Sequence, residues 1–339
     1  MKGSYPFRIP LNKLALLSGK PIIALDRILS AVSTDLVTWQ REPGVRLGFG
    51  WRSNLEMVNA PHVVRLSDSR LRMYFYHGTL GSSGWTGGIL SALSADGLKW
   101  RLEPGIRIPN PKGSTVRSPI VFRDGKMWKM LYVQGVGQPD AQLLCQLSKD
   151  GIYWHEEEPI RLLGLPSAAS LEDVFRVQLE DGRVRLYLSL LLGTRTQIAS
   201  AISEGSAFRL EPGWRIPNQT GMELLVNNPC VFRVGSQWQM LFRGSAQLAL
   251  NSCLYLTRSN DGLAWEPPTK VLEPSPESPY ERHGVGFPFL FPIDEGGWRL
   301  YYAGWWGSHW KAKDTVASWE AAARAAAQAE QIGIEPGDD

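Results

Sequence analysis

The sequence predicts an all-β chain: a five-bladed β-propeller closed by its own N-terminal strands and followed by a C-terminal α-helix. Three observations predict it. A seven-residue turn motif recurs along the chain, an apolar-aromatic hairpin recurs between its copies, and the two series are out of phase, so that only a ring pairs every strand.

The turn motif is clearest in Ser94-Ala95-Asp96-Gly97-Leu98-Lys99-Trp100, Ser148-Lys149-Asp150-Gly151-Ile152-Tyr153-Trp154 and Ser259-Asn260-Asp261-Gly262-Leu263-Ala264-Trp265. A looser copy is Ser33-Thr34-Asp35-Leu36-Val37-Thr38-Trp39, and a degenerate one is Ser203-Glu204-Gly205-Ser206-Ala207-Phe208. The aromatic positions 39, 100, 154, 208 and 265 are spaced by 61, 54, 54 and 57 residues. A fixed period of this size marks a repeat architecture. Asp-Gly supplies the tight turn of a hairpin, the aromatic that follows can pack between neighbouring sheets, and the Glu-Pro that follows most copies ends regular pairing. These turns are similar to the Asp box of sialidases, with the glycine one residue earlier, and are read as structural.

The second series begins near a Pro or an acid and ends in an apolar-aromatic strand. Its members run from Ala60-Pro61-His62 to Tyr76, from Ser118-Pro119-Ile120 to Val133, from Glu172-Asp173-Val174 to Leu188, from Asn228-Pro229-Cys230 to Phe242, and from Phe287-Pro288-Phe289 to Tyr302. The first turn motif precedes every inner hairpin, and the last inner hairpin has no turn motif after it. Pairing residues 22–48 with residues 284–306 resolves the mismatch and removes two exposed sheet edges. The expected organisation is therefore a lead over residues 1–21, the propeller over 22–310, and a helix with its tail over 311–339. The alanine-rich run after Asp314 predicts that helix, packed either across one face of the domain or, in a homodimer, against a second copy.

Bulk properties exclude several classes. The chain has 339 residues, 43% of them hydrophobic, and 36 basic against 33 acidic residues give a net charge of +3. That balance carries no nucleic-acid footprint, and no apolar run reaches the ~20 residues of a membrane span. Fourteen Trp, 34 Gly and 23 Pro suit short strands and tight turns. Cys145, Cys230 and Cys253 have neither disulfide nor zinc spacing. There is no signal-peptide pattern, so a cytoplasmic protein is expected. No phosphate loop, nucleotide fingerprint or metal-ligand cluster is present, so neither a cofactor nor a metal is expected.

Over residues 22 to 306 the repeat pattern resembles the five-bladed propellers of glycoside hydrolase families 43 and 32. The resemblance implies acidic side chains at the starts of the innermost strands, converging on a central cavity that holds a small-molecule ligand. It implies a base or nucleophile from the first blade, a tuning Asp from the second and a general acid from the third. Here the first two places hold Ala60 and Ser118, and the third holds Glu172, followed by Asp173. Glu172 is thus the expected proton donor, with Asp173 beside it. Glu56, before the first inner strand, and His283, before the fifth, are the candidates for the missing base. His62, Asn59, Arg117, Glu223, Asn228, Arg243, Arg282 and Trp305 are the candidates for substrate binding, the arginines for an anionic group and Trp305 for stacking. The leading expectation is a glycoside hydrolase-like enzyme. The alternatives are a propeller that tailors a non-sugar metabolite by acid-base chemistry, and a non-catalytic glycan-binding propeller.

Overall fold

A computed structural model describes residues 24–48, 55–81, 84–156, 159–216, 222, 224–246, 251–278, 280–294 and 296–307. The expected C-terminal helix of residues 311–339 and Glu223 lie outside the described residues, among which there is no helix.

The described chain is all-β. It starts with β1 (Ala24–Ser33) and β2 (Gln40–Arg41). A first four-stranded unit follows: β3 (Leu55–Arg65), β4 (Leu71–Gly81), β5 (Gly84–Ser94) and β6 (Arg101–Leu102). After the short β7 (Ile108–Pro109) comes a second: β8 (Val116–Asp124), β9 (Met127–Gln134), β10 (Gln142–Ser148) and β11 (His155–Glu156). After β12 (Arg161–Leu163) the third is β13 (Ala169–Gln178), β14 (Val184–Leu192), β15 (Arg195–Glu204) and β16 (Ala207–Leu210). The fourth is β17 (Leu225–Val234), β18 (Gln237–Ser245), β19 (Cys253–Ser259) and β20 (Thr269–Leu272). The fifth is made from both ends of the described chain. β21 (Gly284–Pro292) pairs with β22 (Trp298–Gly307), and β22 pairs with β1 from Ala24↔Gly307 to Ser33↔Trp298. β2 then completes the unit by pairing with β1.

Hydrogen bonding groups these strands into three sheets, with no continuous ladder around the molecule. The first strands of the units nevertheless contact one another in cyclic order: β3 with β8, β8 with β13, β13 with β17, β17 with β21, and β21 with β3.

Each turn motif is built as its residues dictate. In the first unit the Ser94 hydroxyl bonds the Asp96 carboxylate at 3.0 Å, and that carboxylate accepts the backbone N–H of Leu98 and Lys99, each at 2.8 Å. These N–H groups hold the Asp96 carboxyl down at about 2. Gly97 takes φ +73°, a conformation that disfavours a side chain.

The units are then clasped together. Tyr74 of the first unit donates to the Gly151 carbonyl of the second at 2.8 Å, and Arg72 donates to the Asp150 carbonyl at 2.9 Å while pairing with Glu103. The same clasp joins Tyr187 and Arg185 to Gly262 and Asp261, and Tyr301 and Arg299 to Gly97 and Asp96. A Cβ on Gly151 would lie 2.5 Å from the Tyr74 hydroxyl, so the clasp requires glycine. Where the second and fourth units carry Leu131 and Leu241 at the tyrosine's place, the requirement lapses. Leu36 replaces glycine, at φ +67°, and packs in one cluster with Leu241. Gly205 has no neighbour for a Cβ and borders, with Lys129 and Leu131, a cleft of about 750 Å³. This is the physical reason why two of the five copies of the motif are irregular.

Candidate functional site

The first strands of the units break their pairing at one level. Pairing jumps from Asn59 to His62, from Arg117 to Ile120, from Asn227 to Cys230 and from Gly286 to Phe289. In each gap stands an X-Pro pair whose first residue has positive φ: Ala60 at 52°, Ser118 at 57°, Asn228 at 53° and Phe287 at 52°. Proline has no N–H for the ladder, so a bulge forms there. The third unit has Val174 in place of the proline and makes its one-residue shift one position earlier, between Leu171 and Asp173. Glu172 is the residue left out.

That slip decides which acid reaches the axis. Ala60, Ser118, Asp173, Asn228 and Phe287, with the residues after them, line an axial cavity of about 30 Å³, which Glu172 does not line. The place expected for Glu172 is therefore held by Asp173, with Val174 standing where the neighbouring strands have proline. Glu172 itself is half-buried. The Asp173 carboxylate accepts the Asn228 side-chain N–H at 2.7 Å and the Val174 N–H at 2.8 Å. Burial raises its pKa, opposed by the nearby Ser118 hydroxyl and the Asn228 hydrogen bond. The axial cavity has room for about one water molecule. A ligand larger than water would have to bind at the level of the residues before the bulges.

That level holds Asn59, Arg117 and Gly286 beside a residue that sequence reasoning missed, Asp26. Asp26 lies on β1 opposite Trp305 of β22. Its carboxylate accepts the Asn59 side-chain N–H at 2.8 Å. It is enclosed by protein yet keeps part of its surface open. Burial pushes its pKa up to about 6, opposed by the Asn59 hydrogen bond and then by the charges of Arg117, Arg243 and Arg27. Arg117 is also within electrostatic reach of Asp173 and of Arg243. Its guanidinium lies 5.2 Å from the Tyr76 ring centroid, and that of Arg243 lies 4.6 Å from that of Trp305. Glycine makes room for this pair: a Cβ on Gly284 would meet the Trp305 ring at 2.1 Å, and one on Gly286 would meet Arg243 at 2.9 Å.

The remaining expected residues lie elsewhere. Glu56 is buried in an ion pair with Arg27 at 3.0 Å and contacts His77 at 3.3 Å. This pairing occupies the carboxylate that was a candidate base. His62 is buried between units, bonded to the Val121 carbonyl at 2.9 Å and packed on Phe289, and burial lowers its pKa to about 4. It is not placed as a substrate ligand. Arg282 is exposed and donates to the Pro276 carbonyl at 3.1 Å. His283 is half-buried, with its pKa lowered by burial and by the charge of Arg282. Its backbone N–H donates to the Trp305 carbonyl at 3.2 Å. Among the described residues no His, Cys, Asp and Glu cluster could hold a metal ion. Cys145, Cys230 and Cys253 are buried and form no disulfide.

The sequence matches no protein-family profile and no curated protein. Its fold does match solved structures. One is a thermostable family-43 glycoside hydrolase, with TM-score 0.56 and 14% identity, covering 76% of this chain and 92% of that one. A second is the endo-arabinase from Bacteroides thetaiotaomicron, with TM-score 0.53 and 12% identity, covering 72% and 88%. A third is an N-acetylgalactosamine deacetylase from F. plautii in complex with blood group B trisaccharide, with TM-score 0.56 and 16% identity, covering 72% and 79%. The chain has a glycoside hydrolase-like fold similar to that of the family-43 enzymes, and at these identities the likeness concerns the fold alone.

Proposed function

We propose that the five units are the blades of a five-bladed propeller, and that the chain is a hydrolase acting on a small sugar or glycoside in its central cavity. The observation that carries this reading is Asp26: a carboxyl with its pKa raised to about 6, part-open and flanked by arginines, at the level where the five first strands converge. Asp173 is the second carboxyl of the pair that sugar cleavage needs.

The roles follow from the environments. Burial favours the protonated form of Asp173, which donates its proton to the leaving oxygen. Asp26 is ionised at neutral pH, and it either activates water or attacks the anomeric carbon. The separation of the two carboxyls across a bound sugar would decide between those outcomes. Arg117, within reach of both, stabilises the carboxylate left on Asp173. Asn59 and Asn228 hold the two carboxyls in place.

The test is turnover of aryl glycosides by Asp26→Asn, Asp173→Asn and Glu172→Gln, each with its fold checked by circular dichroism. The two Asp variants should lose about 10²–10⁴-fold, the usual worth of a positioned acid or base, and Glu172→Gln should lose much less. A loss confined to Glu172→Gln would return the acid to Glu172. A second reading, acid-base tailoring of a non-sugar metabolite, is favoured by Ala60 and Ser118 standing where the families that cleave sugars keep Asp. Turnover of no glycoside by a well-folded wild type would favour it.

A further inference from the structure

Most of the buried and half-buried arginines among the described residues are held by partners that the chain itself supplies. Arg27, Arg72, Arg185 and Arg299 each sit against a glutamate: Glu56 at 3.0 Å, Glu103 at 2.9 Å, Glu211 at 2.8 Å and Glu42 at 2.9 Å. Arg46, Arg107 and Arg215 are each held by backbone carbonyls of the turns they follow. Arg117 and Arg243 are different. Among the described residues neither makes an ion pair, and the Nε of each is enclosed without a partner. Their neighbours are the Tyr76 and Trp305 rings and, for Arg117, the Met57 sulfur at 3.3 Å. Two guanidinium groups within electrostatic reach of one another raise each other's energy, and partial burial without an ion pair raises it further. Asp26 is near both, but its hydrogen bond comes from Asn59.

Accepting the reading of the cavity as a sugar site, we propose that the sugar carries an anionic group, a carboxylate or a phosphate, bound between Arg117 and Arg243. Guanidinium forks match both anions in geometry. An anion there supplies the counter-charge that the chain leaves out. Trp305, held flat by the Arg243 guanidinium, offers an apolar face to the ring that bears it. Gly286 keeps the approach to Arg243 clear, since any Cβ at that position would press on its side chain.

Calorimetric titration of the full chain tests this with methyl glucuronide, methyl galacturonide, glucose 6-phosphate and the uncharged methyl glucoside and galactoside. The wild type should bind at least one anionic probe about 10–100-fold more tightly than its uncharged counterpart, the worth of a charge-assisted hydrogen-bond pair. The uronides and the sugar phosphate, run as separate arms, tell carboxylate from phosphate. Arg117→Gln and Arg243→Gln should each remove that preference, weakening the anionic probes far more than the uncharged sugars; having two variants guards against one failing to fold. Equal binding of charged and uncharged probes overturns the proposal, as does binding of no anionic probe at ~10 mM or equal weakening of all probes by the variants. Aryl-glycoside turnover is measured in parallel. Turnover without anion preference overturns this inference and leaves the hydrolase reading, whereas anion preference without turnover of any aryl glycoside or uronide does the reverse.

Discussion

Adding one methyl group at Gly151 should cost more than adding it at Gly205, although each glycine stands three residues before its motif's aromatic. Both have positive φ, +74° and +60°, so alanine at either site carries a backbone penalty of about 1–2 kcal/mol. At Gly205 nothing lies within 4 Å of the new atom, and the penalty ends there. At Gly151 the new atom would sit 2.5 Å from the Tyr74 hydroxyl and 2.7 Å from Arg72 Nη1. Tyr74 is fully buried and cannot swing away. Its bond to the Gly151 carbonyl and the Arg72 bond to the Asp150 carbonyl are therefore strained together, worth about 1–3 kcal/mol more. Gly151→Ala should lose about 2–5 kcal/mol and Gly205→Ala about 1–2 kcal/mol in urea unfolding. Tyr74→Leu, which copies the Leu36–Leu241 junction, should recover part of the Gly151→Ala loss in a double-mutant cycle. Equal losses at the two glycines, or additive losses in the cycle, would refute the clasp as the reason for the motif.

Three further outcomes follow from the same packing. Trp265 is 9% exposed and edge-packed on Tyr187, so Trp265→Ala should cost about 3–5 kcal/mol in urea unfolding; the half-buried Trp100 and Trp154 should cost less, and a reversed order would contradict the packing. His62 has a folded pKa of about 4, below its unfolded 6.5, so it resists protonation when folded and stability should fall as pH drops from 6.5 to 4. Asp26 has the opposite sign: its folded pKa of about 6 lies above 3.8, so its ionisation erodes stability as pH rises from 4 to 6. Each effect is about 3 kcal/mol over its window, and His62→Gln and Asp26→Asn should each flatten its own slope in stability–pH curves. Deleting residues 1–48 strips β1 from the whole length of β22 and should abolish cooperative unfolding; an unchanged urea midpoint would contradict the pairing.

Much of the fold was legible because its signals are local. Ser-x-Asp-Gly places a hydroxyl, a carboxylate and a left-handed residue within four positions, and the turn closes on itself in each unit that carries it. The pairing of β1 with β22 followed from counting half-units. The site was less legible because it depends on register. Glu172 and Asp173 are adjacent, and with no proline to mark the register of the third strand, the sequence did not show that Asp173-Val174 takes the place of the X-Pro pairs at Ala60, Ser118 and Asn228. Asp26 was invisible for a different reason: it lies on the third strand of its unit rather than the first. Its one signal was the pair Asp26-Arg27 interrupting an otherwise apolar strand, Ala24-Leu25 before it and Ile28-Leu29 after it. Glu56 was read as a candidate base or as the partner of a nearby Arg, and the partner it has, Arg27, is distant in the chain.

The central claim is that Asp26 works as an ionised carboxylate in the sugar site, and the pH dependence of kcat/KM tests it most directly. With an aryl glycoside or uronide that the wild type turns over, the account predicts a rate that climbs through pH 6 as Asp26 ionises and falls at higher pH as Asp173 loses its proton. Asp26→Asn should abolish the climb together with about 10²–10⁴-fold of the rate. A flat profile across pH 5–7, or an Asp26→Asn enzyme that keeps both the climb and the rate, would contradict it.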